Sequence, residues 1–117
     1  GRMTVFGGIM GFESFVNGAE GWVAVGSNVM PAKFARLFTL TADEKDYDAA
    51  RALYARLLPV IRLVGGARYV SATKTALNMM GFSVGAPRAP RLPSPPEEVA
   101  AVRAALDAVG IRPVDAA

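Results

Sequence analysis

The stretch GWVAVGSNVMP, residues 21–31, decides the fold that we predict for this chain. Residues 22–25 are continuously apolar and partly β-branched, a pattern typical of a strand buried on both faces of a parallel sheet. A glycine ends this strand, Ser27 and Asn28 are residue types that cap helix N-termini, and Pro31 suits a first helical turn. The stretch therefore predicts a strand, a small loop and a helix, a junction at which α/β proteins bind ligands.

A second strand and a helix are predicted before this stretch. Residues 3–6 form a short β-rich run, and residues 9–16 place apolar side chains at helical spacing before a terminating Asn-Gly pair. This order predicts a compact βαβ unit with parallel strands and a right-handed crossover. Residues 31–41 then predict an amphipathic helix, with Lys33 and Arg36 opposite its apolar side.

A polar joint at residues 43–48 separates this unit from a region that is predicted to be entirely helical. A long apolar stripe follows in residues 47–64, which predicts a single helix. Pro59 lies inside that helix, and because proline lacks a backbone donor we expect a kink or a break there.

Two shorter helices are predicted on either side of a proline-rich segment. Residues 72–80 form the first, with Ser71 as its N-cap, and residues 97–109 form the second, with Ser94 opening a capping box. The segment between them, residues 82–96, carries too many prolines for a helix and is expected to be an ordered loop.

The composition excludes several kinds of site. The 117 residues include no cysteine and no histidine, which removes disulfides, thiolate metal sites and the commonest general base. We expect no metal or cofactor, and the lack of cysteine is compatible with the cytoplasm, where we place the protein. No apolar stretch approaches the roughly 20 residues of a membrane span, and no signal peptide is evident, so no membrane partner is expected.

The charge and hydrophobicity indicate faces that the chain does not cover by itself. The sequence is 52% hydrophobic and only 20% charged, and two parallel strands alone make a poor sheet. The net charge of +3 comes from scattered arginines, which favours solvated helix faces over a nucleic-acid partner. Nucleic-acid binding through Arg88 and Arg91 is the weaker alternative.

Five stretches, in order, resemble the C-terminal part of the dihydrodipicolinate synthase / N-acetylneuraminate lyase family, the class I pyruvate-dependent aldolases. VFGG at residues 5–8 resembles the seventh barrel strand, and GAEGWVAVGSNVMP at residues 18–31 resembles the eighth strand with the start of its helix. The remaining three resemble the C-terminal helices of the family: ARALYARLLPVIRLV, VSATKTALNMMGF and PRLPSPPEEVAAVRAALDAVGI.

The resemblance implies an α/β fold, the C-terminal fragment of a (β/α)8 TIM barrel. A complete barrel needs about 250 residues, so this chain has room for strands 7 and 8 with their helices, plus a three-helix extension. Residues 1–42 would be the last two β/α units, and residues 43–117 the C-terminal helical region. The remainder of the barrel would be supplied from elsewhere, and the assembled protein would be a homo-oligomer, a homotetramer.

The resemblance implies that the parent enzyme is a lyase that forms a Schiff base with pyruvate or a related 2-keto acid. The family's imine-forming lysine lies on the sixth strand and its proton-shuttling tyrosine on the fifth, so no catalytic residue is expected in this chain. Lys74 matches a structural lysine of the family, Lys33 lies on an exposed helix face and Lys45 in the polar joint.

Three residues are carried over as substrate-binding candidates. Val23 aligns with the residue of the eighth strand that lines the pyruvate pocket through its backbone, although ordinary barrel core is the alternative. Gly7 or Gly8 aligns with the seventh-strand glycine near the bound keto acid, and a tight turn is the simpler interpretation. Where the family often has acidic or polar residues next, this chain has Ile9 and Met10.

Other functional interpretations remain open from the residues alone. Ser27 and Asn28 are more simply helix caps than pocket residues, and the carboxylates form no acid–base pair with a forced geometry. A different class of function is a non-catalytic oligomerisation or interaction module, held together through the apolar faces of its strands and helices.

Overall fold

A computed structural model describes Gly1 and residues 3–112. The described elements, in order, are β1 (Phe6–Gly7), α1 (Gly11–Val16), β2 (Gly21–Trp22), a 3₁₀ turn (Val25–Asn28), α2 (Pro31–Phe38), a π-helical turn (Thr39–Asp43), α3 (Tyr47–Val64), α4 (Tyr69–Met79) and α5 (Pro96–Ala108). They divide into two compact units, Gly1–Leu58 and Pro59–Ala117, with α3 running through the division. Residues 113–117 of the predicted helical region lie outside the described residues.

The first unit is built on the predicted parallel pair of strands. Phe6 pairs with Gly21 and Gly7 with Trp22, and α1 connects the two strands. The ladder extends by one bond at each end, because the Glu20 amide donates to the Val5 carbonyl at 2.8 Å and the Val23 amide to the Gly7 carbonyl at 3.0 Å. The parallel βαβ order is therefore confirmed, while β1 and β2 are both shorter than predicted, and after β2 the chain enters a 3₁₀ turn at Val25.

One face of this sheet packs on helices through a stack of aromatic rings. Trp22 lies parallel to Phe34 of α2 with 4.7 Å between ring centroids, and Phe15 of α1 meets the indole edge-on at 6.3 Å. Gly11 and Gly26 flank the stack, since a Cβ on Gly11 would overlap the Trp22 ring and one on Gly26 the Phe34 ring. The absence of a side chain at these two glycines therefore lets the aromatic rings pack directly against the backbone.

The prediction that residues 22–25 are buried on both faces is wrong for this chain. Val23 is 70% exposed, and Trp22, Ala24 and Val25 are only partly buried. Helices cover the side of the sheet to which Trp22 points, whereas Val23 points to the other side. Within the described residues of this unit, no element covers that second side.

The entry to α2 differs in its capping from the prediction. Pro31 is the first residue of α2, as predicted. Ser27 and Asn28 do not cap it, because they lie in the 3₁₀ turn and their side chains donate back to the Ala24 carbonyl at 2.6 Å and the Val25 carbonyl at 2.9 Å. These short polar side chains satisfy backbone acceptors of their own turn, a known alternative to capping.

The end of α2 and the course of α3 also differ in detail from the prediction. The predicted helix over residues 31–41 ends as α2 at Phe38 and continues as the π-helical turn, where Thr41 donates to the carbonyls of Leu37 and Phe38. The helix α3 has the predicted bounds and continues through Pro59, so of the two predicted alternatives, a kink or a break, the break is wrong. Asp46 is its N-cap, accepting the Ala49 amide at 3.0 Å.

The second unit contains the end of α3, the helices α4 and α5, and the segment between them, residues 82–95, which we call the strap. The buried apolar side chains of α5 are Val102, Ala105 and Leu106, and Val109 directly after the helix is buried with them. Gly81 and Gly110 follow α4 and α5 with positive φ angles of 90° and 77°, the left-handed conformation that ends helices. No helix among the described residues is long and apolar enough to cross a membrane.

The predicted caps of these two helices are wrong for one shared reason. The helix α4 begins at Tyr69, two residues before Ser71, and the Ser71 hydroxyl donates to the Leu92 carbonyl of the strap at 2.6 Å. Ser94 accepts a hydrogen bond from the Thr75 hydroxyl at 3.0 Å, and α5 has no side-chain cap. Both serines hold the strap to α4, a tertiary use that helix-boundary patterns do not encode.

Further α4 side chains hold the two ends of the strap. The Lys74 ammonium donates to the Val84 carbonyl at 2.6 Å, and the Asn78 amide accepts from the Val84 amide at 3.0 Å and donates to the Gly85 carbonyl at 3.2 Å. At the other end the Arg68 guanidinium donates to the Pro93 carbonyl at 2.6 Å. A proline-rich segment makes few backbone bonds of its own, so these side chains satisfy its polar groups.

Candidate functional site

The candidate site is the uncovered face of the two-stranded sheet. Side chains alternate along a strand, so the residues opposite the helix layer are Phe6 and Gly8 from the first strand and Gly21 and Val23 from the second. We call these four positions the open face. Phe6 is 62% exposed and Val23 is 70% exposed, so this side of the sheet presents two uncovered apolar side chains.

The structure separates the two glycines that the sequence leaves as equivalent candidates. Gly7 is buried on the helix side, where a Cβ would overlap the Cβ of Ser14 in α1. Gly8 is exposed on the opposite side, and a Cβ there would have no heavy atom within 4 Å. Gly8 therefore shares the open face with Val23, whereas Gly7 supports the packing of α1 on the sheet.

Val23 contributes its backbone to the sheet and its side chain to the open face. Its amide is used in the ladder bond to the Gly7 carbonyl, at 3.0 Å. Its side chain has no covering partner in this unit, consistent with its 70% exposure. Val23 and Gly8 follow the last paired residues of their strands, so both stand at the carboxyl end of the sheet, the end that carries the active site in α/β barrels.

The open face carries only two side chains at its four positions. Two of its four positions, Gly8 and Gly21, have no side chain, and the Phe6 ring lies over Gly21, where a Cβ would overlap it. The shape of the face is therefore set by Phe6 and Val23. Sequence reasoning missed Phe6, although its position two residues before Gly8 was the signal that could have found it.

The three lysines belong to elements other than the two strands. Lys33 is in α2 and Lys45 follows the π-helical turn with a positive φ of 57°. Lys74 belongs to the second unit, where its ammonium is bound to the strap carbonyl of Val84. None of the three is among the residues that form the open face.

Several charged side chains of the first unit are used in a helix cap and in surface ion pairs. No group of three or more histidine, cysteine or acidic residues in the described part of the chain could hold a metal ion. Asp46 is used as the cap of α3, and Asp48 forms an exposed ion pair with Arg51 at 2.8 Å. The pKa of Arg36 is raised by the hydrogen bond of its guanidinium to the Glu44 carboxylate, on the surface of the unit.

A cavity of about 360 Å³ lies beside the first strand and includes one of the candidate residues. It is lined by Gly7 and Phe6 with Val5, Met10, Glu13, Ser14, Asn17 and Ala19. Neither Gly8 nor Val23 lines it, so it lies along the flank of the sheet rather than at its carboxyl end.

Comparison with known proteins places these features in one family. The sequence profile of the Dihydrodipicolinate synthetase family matches residues 4–109. A protein of Kineococcus radiotolerans named 4-hydroxy-tetrahydrodipicolinate synthase is 41% identical over 98 residues, which is 82% of this chain and 32% of the relative. A protein of the same name from Corynebacterium aurimucosum is 34% identical over 80% of this chain and 31% of its own length.

A solved structure shares the fold of the described residues. The crystal structure of dihydrodipicolinate synthase from Aquifex aeolicus matches with a TM-score of 0.87, covering 97% of this chain and 39% of that chain, at 24% sequence identity. The chain thus spans about a third of the length of the curated relatives it matches. The solved structures it resembles are TIM-barrel enzymes.

Proposed function

This chain belongs to the dihydrodipicolinate synthetase family, and we propose that it is the C-terminal part of a (β/α)8 barrel lyase whose catalytic residues lie outside it. In this proposal β1 and β2 are strands 7 and 8, residues 1–42 are the last two β/α units, and residues 43–117 are a helical extension. The single observation that carries the proposal is the open face, which leaves Phe6 and Val23 exposed on the side that a closed barrel would bury.

The proposed reaction is aldol chemistry through a Schiff base. A buried lysine of the preceding segment condenses with the carbonyl of pyruvate or a related 2-keto acid and releases water. Loss of a proton from the adjacent carbon gives an enamine, which attacks an aldehyde; the reverse sequence is a cleavage. No cofactor is required for these steps, and we propose a cytoplasmic homotetramer as the working form.

The contribution of this chain is structural and substrate-binding. Val23 and Gly8 stand at the carboxyl end of the sheet, where barrel enzymes bind their substrates. Gly7 was a candidate of equal standing from sequence, and in this proposal its part is to let α1 approach the strand closely enough to hold Gly8 in place. The exposed strand edges would pair with the rest of the barrel.

Borohydride trapping tests this function. The complete protein that contains this segment is incubated with pyruvate and sodium borohydride, and mass spectrometry locates the reduced adduct. We expect one lysine to be labelled in the part preceding residue 1, and no labelling when the 117-residue chain is treated alone. Labelling of Lys33, Lys45 or Lys74 would contradict the proposal, and so would the absence of any adduct in the complete protein with several 2-keto acids.

A further inference from the structure

From the open face we infer that Phe6 is a specificity-determining residue that sets the length of the 2-keto acid the enzyme accepts. The inference rests on the proposed function, because it needs the open face to be the interior of a barrel. Phe6 itself is assigned from its position in the sheet, two residues before Gly8 and opposite Gly21.

The open face presents two side chains, those of Phe6 and Val23. Helices pack on the Gly7 and Trp22 side, through α1 and α2, so the open face is the interior side of a barrel. On that side the first strand offers only Phe6, since Gly8 has no side chain. The second strand offers only Val23, since Gly21 has none.

The Phe6 ring lies one layer before Gly8 and Val23 along the strand direction. Phe6 and Gly21 pair in one layer, while Gly8 and Val23 lie two residues further on, about 7 Å towards the carboxyl end. The Phe6 ring covers Gly21, occupying the space that a side chain at position 21 would need. The ring therefore forms a floor directly beneath the Gly8 and Val23 layer.

The floor formed by the Phe6 ring is apolar. None of the four open-face positions, Phe6, Gly8, Gly21 and Val23, carries a charged group, so this face offers no charge to a polar substrate tail. A flat apolar ring under a glycine accepts a small alkyl group and excludes a longer one by overlap. One methylene in such a pocket changes discrimination by about 10- to 200-fold.

The test uses the complete protein and two keto acids, pyruvate and 2-oxobutyrate. For each acid, the concentration that half-saturates borohydride-trapped adduct is measured, and the ratio of the two values is compared between variants. The ratio does not depend on the fraction of folded protein. We expect Phe6→Ala to shift it about tenfold towards 2-oxobutyrate, and Phe6→Leu to shift it in the same direction by less.

The matched control is Phe38→Ala. Phe38 packs edge-on against Phe15 on the helix side of the unit, with 5.6 Å between centroids, so its truncation should leave the ratio unchanged. An unchanged ratio in both Phe6 variants, with adduct still formed, would overturn this inference alone. Failure of the wild-type protein to form an adduct with either acid would overturn the proposed function instead.

Discussion

The sheet of the first unit and the strap of the second unit differ in how completely the rest of their own unit covers or bonds them. The strap has no regular structure, yet Arg68, Ser71, Lys74 and Asn78 all bond to its backbone. The sheet is regular, yet the open face leaves an aromatic and a β-branched side chain uncovered.

This difference shows that regular secondary structure does not by itself mean that a segment finds all its contacts within this chain. Side chains of α4 complete the hydrogen bonding of an irregular segment, because each polar group needs only one partner nearby. An apolar face needs extended cover, and two strands cannot provide it for themselves. We therefore expect core substitutions in the second unit to lower the free energy of unfolding of the isolated chain. Substitutions on the open face should lower it only in the complete protein.

The largest effect is expected from the core of α5. Leu106 is completely buried, so Leu106→Ala removes apolar contacts and leaves a cavity. The free energy of unfolding of the 117-residue chain, from urea denaturation, should fall by about 3 kcal/mol. Leu92→Ala is the control, because Leu92 is 69% exposed, and it should change stability by less than about 0.5 kcal/mol. Equal losses in both variants would show that the packing described for this unit is incorrect.

A smaller effect is expected from the aromatic stack under the sheet. In Gly11→Ala the new methyl group overlaps the Trp22 ring, so the ring or α1 must shift. Overpacking of this kind should lower stability by roughly 1–3 kcal/mol and change the near-ultraviolet circular dichroism of the tryptophan. Gly8→Ala, where a Cβ meets nothing within 4 Å, should be neutral in the isolated chain. The separation of the two faces would be contradicted if Gly8→Ala were the more damaging change.

A still smaller effect is expected at the first end of the strap. Asn78→Ala removes an acceptor for the Val84 amide and a donor to the Gly85 carbonyl. Because Asn78 is exposed, the loss should be about 1 kcal/mol, with faster amide hydrogen exchange at Val84. Asn78→Asp keeps the acceptor and should preserve the protection of Val84. Unchanged exchange in Asn78→Ala would mean that the strap is held by other contacts.

The smallest effect is expected on the open face itself. Val23→Ala truncates a side chain that is 70% exposed, so stability of the isolated chain should change by less than about 0.5 kcal/mol. The same urea titration as for Leu106→Ala provides the comparison. A loss above about 1 kcal/mol would show that the open face is covered in the isolated chain.

Local sequence patterns predicted the helices and strands well, but they did not predict which side chains make long-range hydrogen bonds. The bounds of α3 and the parallel strand pair follow from periodicity and backbone preference, which neighbouring residues determine. Ser71 and Ser94 were misassigned as caps because their partners lie about twenty residues away in sequence. At Pro59 the predicted kink or break was left open by the local rule, and the helix is not broken there.

The candidate site was only partly accessible to sequence reasoning. The family resemblance pointed to Val23 and to a glycine at position 7 or 8, and the strand register then assigned the two glycines to opposite faces. Phe6 was missed because an apolar residue at a strand start resembles ordinary core. Its exposure follows only from the structure, in which the helices cover the opposite side of the sheet.

The most direct test places one charge on the open face in two settings. The free energy of unfolding is measured for Val23→Asp in the 117-residue chain and in the complete protein that contains it. We expect a change below about 0.5 kcal/mol in the isolated chain, and a loss above about 3 kcal/mol in the complete protein, where the carboxylate would be buried without a partner. Equal effects in the two settings would contradict the claim that this face is the interior of a larger barrel.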